Sequence, residues 1–164
     1  MIGPVTYRRW ALAWAALSGT FALHVIDEAA NDFLAWYNPN ALAIRARLPW
    51  LPIPVFSFPV WITGLTIAVL GLAALTPLVR RGSRWLLPFA YLYGIVHTAN
   101  AIGHIATSVA GRWFAPGVYS SPVLLGAALW LLYETNRVRR APTTRGESAA
   151  SPIARPVSGG APRA

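Results

Sequence analysis

The chain contains no cysteine and few acidic residues. Without cysteine it can form neither disulfides nor thiolate metal sites, so histidine and carboxylate are its strong metal ligands. Only 12% of its 164 residues are charged, whereas 55% are hydrophobic and the mean hydropathy is +0.46. A soluble domain of this size could not bury so many long apolar runs. We therefore predict an all-α integral membrane protein.

The chain is strongly basic, with a formal net charge of +9. All of its basic residues are arginines, and they lie at the ends of apolar runs or in the C-terminal tail. Because this placement is typical of membrane topology, we exclude nucleic acid as a partner and expect membrane lipids instead. The sequence leaves open whether the chain forms homo-oligomers.

The apolar runs predict a four-helix transmembrane bundle that forms a single domain over residues 1–140. Its spans are expected at about 10–30, 60–79, 85–111 and 120–138. Between the first two spans, Asn38-Pro39-Asn40 is expected to form a turn and residues 40–48 a short interfacial helix. Ser120 or Ser121 is expected to cap the fourth span. Residues 141–164, rich in Pro, Ser, Ala and Gly, are expected to be a disordered, basic cytoplasmic tail.

Arginine placement also predicts the orientation. With the N-terminus inside and the tail left out of the count, eight arginines flank the cytoplasmic ends of the spans and three lie on the far side of the membrane. This distribution favours cytoplasmic N- and C-termini in a bacterial-type plasma membrane. Several tryptophans are expected at headgroup level, namely Trp10, Trp36, Trp50, Trp61, Trp85 and Trp113.

Two of the expected spans carry a polar stripe. On the first, the residues of one helical face are Thr20, His24, Asp27, Glu28 and Asn31; on the third, they are Tyr93, His97, Asn100, His104 and Ser108. Polar residues inside a membrane are costly and usually face the interior of the bundle, where they mark a site or a pathway.

The two stripes lie at the same depth. Both spans run outward, and at 1.5 Å per residue Glu28 lies roughly 27 Å from Trp10 while His104 lies roughly 28 Å from Trp85. We therefore expect the first and third spans to share a site in the outer half of the bundle.

The carboxylates of this site need a counter-charge, because no span has an internal arginine. Protonation, His⁺, a loop arginine or a metal ion could supply it. For a divalent metal, zinc or iron, we expect His24, Glu28, His97 and His104 as ligands. The candidate catalytic residues are Glu28, Asp27 and His104, with Asp27 as base or further ligand, and Asn100, Tyr93 and Asn31 are expected to support them.

The segments HVIDE (24–28), NAIGH (100–104) and FAPG (114–117) resemble the three motif boxes of the HXXEE-motif family of small membrane proteins. The resemblance covers about residues 20–135. Its boxes match here at His24 and Glu28, at Asn100 and His104, and at Pro116 and Gly117. Asp27 replaces the family's first Glu, and Phe114 stands where the family has Tyr. The resemblance implies a catalytic role and names no substrate.

These observations favour a metal-dependent membrane enzyme, a hydrolase, isomerase or oxidative enzyme, that acts on a lipid or other apolar substrate. One alternative is a metal-free isomerase or cyclase with Glu28 or Asp27 as acid or base. A second alternative is a non-enzymatic module for binding, haem or transport.

Overall fold

The computed structural model describes residues 4–141, and this part of the chain contains helices and no strand. The helices are α1 (Pro4–Ala30), α2 (Phe33–Arg47), α3 (Phe58–Ala74), α4 (Thr76–Arg80), a 3₁₀ turn (Arg84–Leu86), α5 (Leu87–Gly111) and α6 (Ser121–Arg140). The prediction of an all-α chain is confirmed for these residues. Apart from Ala141, the predicted disordered tail lies outside them.

Helix α1 is central to the packing. Its buried apolar side chains recur every three or four residues, at Trp10, Trp14, Leu17, Phe21 and Val25. This spacing places them along one stripe of the helix. The stripe lets α1 pack against α6 and against α3 and α4, while α5 packs mainly against α6.

Helices α5 and α6 approach closely because small residues line their contact. A Cβ added to Gly94 would lie 2.6 Å from Cγ of Leu132, and Ala90, Ala101 and Ala128 are fully buried. Small residues allow two helix backbones to come together without displacing side chains.

Large side chains bridge α1 and α5. The rings of Trp14 and Tyr93 are 5.1 Å apart, the Tyr93 hydroxyl lies 3.3 Å from Ser18 Oγ, and Phe21 and His97 meet edge to face at 4.4 Å. In these pairs, residues further along α1 contact residues further along α5. Helices α1 and α5 therefore run parallel, and their C-terminal ends lie at the same end of the bundle.

The connection after α1 differs from the prediction. We expected a turn at Asn38-Pro39-Asn40 followed by a helix over 40–48, but α2 already begins at Phe33 and includes Pro39. Asp32, in a left-handed conformation (φ 53°), redirects the chain directly after α1. Asn38 then fixes α2 to the following loop, since its side chain accepts from Phe56 N (3.1 Å) and donates to Phe56 O (2.9 Å).

The stretch expected as the second span is interrupted. Helix α3 ends at Ala74 and α4 begins at Thr76, because Pro77 has no N–H to continue the helical hydrogen bonds. Taken together, Phe58–Arg80 is the one helical stretch of the described residues that is long and apolar enough to cross a bilayer.

Two of the tryptophans expected at headgroup level lie in the interior. Trp10 is fully buried and donates from Nε1 to Thr135 Oγ1 at 3.0 Å, and Trp61 is 8% exposed. Trp50 and Trp85 are largely exposed. The rings of Trp10 and Trp61 therefore fill the contacts of α1 with α6 and of α3 with the core, whatever their depth in a bilayer.

Candidate metal centre

Three buried side chains converge where α1 and α5 end. Glu28 Oε1 lies 3.1 Å from Nε2 of His104 and 3.5 Å from Nε2 of His24. The exposures of His24, Glu28 and His104 are 0%, 5% and 8%, so water has little access to the group. One ligand atom from each residue can be chosen so that all three lie within 4.8 Å of one another. This arrangement could hold a metal ion.

A short hydrogen-bonded chain determines which nitrogen of His24 carries its proton. Ser120 Oγ donates to Asp27 Oδ2 at 2.7 Å, because an ionised carboxylate can only accept. Nδ1 of His24 lies 2.8 Å from the same hydroxyl oxygen, and it donates to that oxygen when the serine proton is on the shorter bond to Asp27 rather than on Gly117 O at 3.2 Å. In the neutral ring, Nε2 is then unprotonated. This is the atom that faces Glu28.

Nε2 of His24 is buried and has no hydrogen-bond partner in the described part of the chain. Its lone pair faces a carboxylate oxygen, which is also an acceptor, at 3.5 Å. Two acceptors facing each other in a buried site are unfavourable, and a cation bound by both relieves the conflict. A four-coordinate ion with ligand bonds of about 2.1 Å separates its ligand atoms by about 3.4 Å. The two distances to Glu28 are close to this value.

The loop after α5 closes the group from one side. Gly117 adopts φ +86°, and a Cβ at this position would lie 2.9 Å from Cε1 of both His24 and His104. Only glycine combines this backbone conformation with so close an approach. Gly117 O also accepts a hydrogen bond from Ser121 Oγ at 2.7 Å, which holds the turn against the start of α6.

A cavity of about 250 Å³ opens beside Glu28. It lies between α1, α2 and α3, and its lining is mostly apolar and aromatic: Glu28, Ala29, Asp32, Phe33, Leu34, Ala35, Phe58 and Trp61. Phe33 stacks on Trp61 at 5.8 Å and also reaches the His104 ring at 5.9 Å. An apolar molecule in this cavity would therefore lie next to the histidine and carboxylate group.

Three residues expected at the site lie outside the group. His97 is seven residues before His104, roughly 10.5 Å along the same helix, and its Nδ1 donates to Tyr93 O at 3.0 Å. The Tyr93 hydroxyl donates to Ser18, on the same seam between α1 and α5. Asn100 is half-buried one turn before His104. The structure thus brings one α5 histidine, His104, to the carboxylate.

Asp27 turns away from the group, towards α6. Its Oδ2 accepts from both N (2.8 Å) and Oγ (2.7 Å) of Ser120, and its Oδ1 accepts from Asn31 Nδ2 at 2.9 Å. Asp27 and Asn31 therefore position Ser120 and, through it, His24. Ser120 is the N-cap residue of α6, as expected, but its side chain makes no capping hydrogen bond: its hydroxyl lies between Asp27 and His24.

Among residues 4–141, the two carboxylates of α1 have no arginine partner. Within residues 4–141, Glu28 pairs only with His24 and His104, and Asp27 makes no ion pair. Of the counter-charges expected from the sequence, a loop arginine is therefore not found in this part of the chain.

The rings of His24 and His104 are not arranged to hold a haem between them. Their centroids are 4.9 Å apart at an interplanar angle of 72°, in edge-to-face contact. This contact leaves no space for a macrocycle between them.

The family model described as "Protein of unknown function with HXXEE motif" matches residues 14–131, well over half of the chain. The chain belongs to the HXXEE family. No curated protein and no solved structure matches it.

Two of the HXXEE motif boxes supply the group, and the third lies against it. His24 and Glu28 come from the first box, His104 from the second, and Gly117 of the third contacts both rings. The departure at Phe114 lies away from the group, since its ring is 72% exposed and stacks on Tyr119 at 5.5 Å.

Sequence reasoning missed Ser120 and Phe33 as neighbours of the histidines. Ser120 could have been suspected, because it follows the third motif box by three residues and opens the next helix. Phe33 gave no such signal: it is one of many aromatic residues, and only the early start of α2 places it over His104.

Proposed function

We propose that this protein is an integral membrane enzyme that binds a divalent metal ion through His24, Glu28 and His104. Its substrate is a lipid or another apolar molecule that occupies the adjoining cavity. The observation that carries the proposal is the unpartnered, buried Nε2 of His24, which faces Glu28 Oε1.

The outer surface of the helices supports the membrane assignment. The stretch Phe58–Arg80 is almost entirely unburied, unlike the core helix of a soluble protein. The other long helices also expose large apolar side chains, such as Ile26 on α1, Leu92 on α5 and Val123 on α6. Lipid is the environment in which such surfaces are stable. Phe58–Arg80 alone among the described helices meets the length and apolarity of a span; we propose that the exposed apolar faces of α1, α5 and α6 let these helices span the membrane beside it.

The arginine distribution supports cytoplasmic termini. In this orientation the metal site would lie in the outer half of the bundle, with Phe33 of α2 beside it. An apolar substrate would reach the cavity from the lipid phase, because Phe33, Phe58 and Trp61 line it.

The described residues suggest a division of roles. A divalent cation, zinc or iron, would supply a Lewis acid that activates water or oxygen when bound. Ser120 and Asp27 would hold the tautomer and ring orientation of His24. Glu28 would bind the ion with Oε1 and could accept or return a proton with its other carboxylate oxygen. The buried position of the group would limit access of bulk water.

A second candidate is a metal-free enzyme in which Glu28 acts as acid or base. The 3.1 Å contact between Glu28 Oε1 and His104 Nε2 favours it, because this pair could share a proton without an ion. An isomerase or cyclase acting on an alkene would suit this chemistry.

Elemental analysis of the purified full-length protein tests the proposal. We expect about one zinc or iron per chain in the wild type, and loss of metal in Glu28→Gln and His104→Ala. His97→Ala is the matched control, since it removes a buried histidine from the same helix but outside the group; it is expected to retain the metal.

If the wild-type protein contains no metal after purification and takes up none when zinc or iron is added, the metal site is refuted and the acid–base alternative is favoured. Equal loss of metal in His97→Ala and His104→Ala would indicate general misfolding and would also contradict the assignment of ligands. Circular dichroism and elution volume of each variant accompany the metal analysis.

A further inference from the structure

Helices α5 and α6 leave an open groove far from the metal centre, near the start of α5 and the end of α6. Its volume is about 710 Å³, and its lining consists of Tyr91, Ile95, Leu132, Tyr133, Asn136 and Arg139. A volume of roughly 300–1,000 Å³ is typical of sites that hold small organic ligands. The groove is therefore large enough for a lipid headgroup and part of one acyl chain.

The polar end of the groove is organised around Arg139. Its Nε donates to the Tyr91 hydroxyl at 3.1 Å and its Nη2 donates to Asn136 Oδ1 at 3.1 Å. Within residues 4–141 these two bonds leave three of the five guanidinium N–H groups without a partner. Arg139 is exposed and keeps donors for a further ligand, and a guanidinium is well suited to phosphate oxygens.

The charge at this end of the bundle is unbalanced. Glu134, the one carboxylate of α6, is fully buried and lies 3.1 Å from both Arg9 Nε and Arg137 Nη1. The other acidic residues of the described part of the chain lie at the opposite end of α1 or just after it, at Asp27, Glu28 and Asp32. Arg139 therefore has no carboxylate partner there, and the groove favours an anion.

Polarity changes along the groove. Ile95 lies one turn further into α5 than Tyr91, and Leu132 lies one turn further into α6 than Asn136. One end of the groove thus favours an anion, and the end next to it is apolar. An amphipathic molecule with a negatively charged head matches both ends.

We propose that this groove binds an anionic phospholipid, with its phosphate on Arg139 and one acyl chain along Ile95 and Leu132. The inference rests on the membrane-spanning arrangement given under Proposed function, in which Arg139 lies at the cytoplasmic surface. Basic pockets between helices on that side are suited to anionic headgroups.

The test is lipid retention by the full-length protein, measured by native mass spectrometry from nanodiscs containing equal amounts of phosphatidylglycerol and phosphatidylcholine. The wild type is expected to retain phosphatidylglycerol preferentially. Arg139→Gln is expected to lower that preference about fivefold, the effect of removing one arginine contact at the surface. Arg45→Gln, which removes an exposed arginine at the other end, is the matched control and is expected to change it less than twofold.

Tyr91→Phe provides a second variant with an intact charge. It removes the hydroxyl that orients Arg139, so a smaller loss of preference is expected. If Arg139→Gln leaves the preference for phosphatidylglycerol unchanged, or if Arg45→Gln lowers it equally, the proposed phospholipid binding in this groove is overturned. Displacement of the lipid by millimolar glycerol phosphate would overturn the part of the proposal that concerns the acyl chain.

Metal content measured on the same preparations separates the two proposals. Arg139→Gln is expected to keep its metal, and Glu28→Gln is expected to keep its lipid preference.

Discussion

Substitution of Gly117 by alanine should disrupt the candidate metal centre without altering any of its proposed ligands. The added Cβ would lie 2.9 Å from Cε1 of His24, 2.9 Å from Cε1 of His104 and 3.0 Å from Nδ1 of His104. Real Cβ atoms essentially never approach so closely, so both rings must move. Since both rings are buried, they have little room to do so without separating their nitrogens from Glu28.

The loss of folding stability expected for Gly117→Ala has two parts. An L-residue at φ +86° costs about 1–2 kcal/mol, and overpacking a buried site costs about 1–3 kcal/mol. Together they predict destabilisation by about 2–5 kcal/mol. For a chain of this length, that corresponds to a decrease in Tm of roughly 4–20 °C.

Gly82→Ala is the matched control. Gly82 also has a positive φ, +76°, and a Cβ there would lie 2.8 Å from the ring of Tyr7, at the opposite end of the bundle. Both variants should lower Tm in detergent, but only Gly117→Ala should lose metal in elemental analysis. Wild-type metal content in Gly117→Ala, or equal metal loss in Gly82→Ala, would refute the reasoning.

Two further predictions concern the neighbours of the group. Ser120→Ala removes the hydroxyl that accepts from His24 Nδ1, so metal affinity should fall roughly 10–100-fold in a chelator competition titration; an unchanged affinity would show that this hydroxyl does not orient the ring. Phe114→Tyr restores the residue of the family pattern, yet it should change metal content and Tm very little, within roughly 0.5 kcal/mol of stability, because the ring is 72% exposed. A clear gain of metal affinity in Phe114→Tyr would place this side chain in the site after all.

Much of the site follows from helical periodicity and depth. His24 and Glu28 are four residues apart and must share one face of α1, whatever the rest of the chain does. Counting 1.5 Å per residue from the inner ends places His104 level with Glu28. This reasoning works because long helices are rigid, so the distance along each one follows from residue number alone.

Periodicity does not reveal what lies opposite a side chain. It placed His97 and His104 on one stripe of α5, but only His104 is level with the carboxylate, and His97 bonds to its own helix. The amphipathic pattern likewise could not distinguish a buried Trp10 from one at headgroup level, since both are apolar residues near a helix end.

Residue types and their spacing were sufficient to predict an all-helical chain, the positions of its long helices and a histidine–carboxylate pairing between two of them. The tertiary structure decided the rest: that Ser120 and Asp27 set the tautomer of His24, that Gly117 closes against both rings, and that Phe33 and Trp61 form a cavity beside Glu28. These contacts join residues up to 96 positions apart. They depend on how loops and helices meet across the bundle, which no local pattern in the sequence encodes.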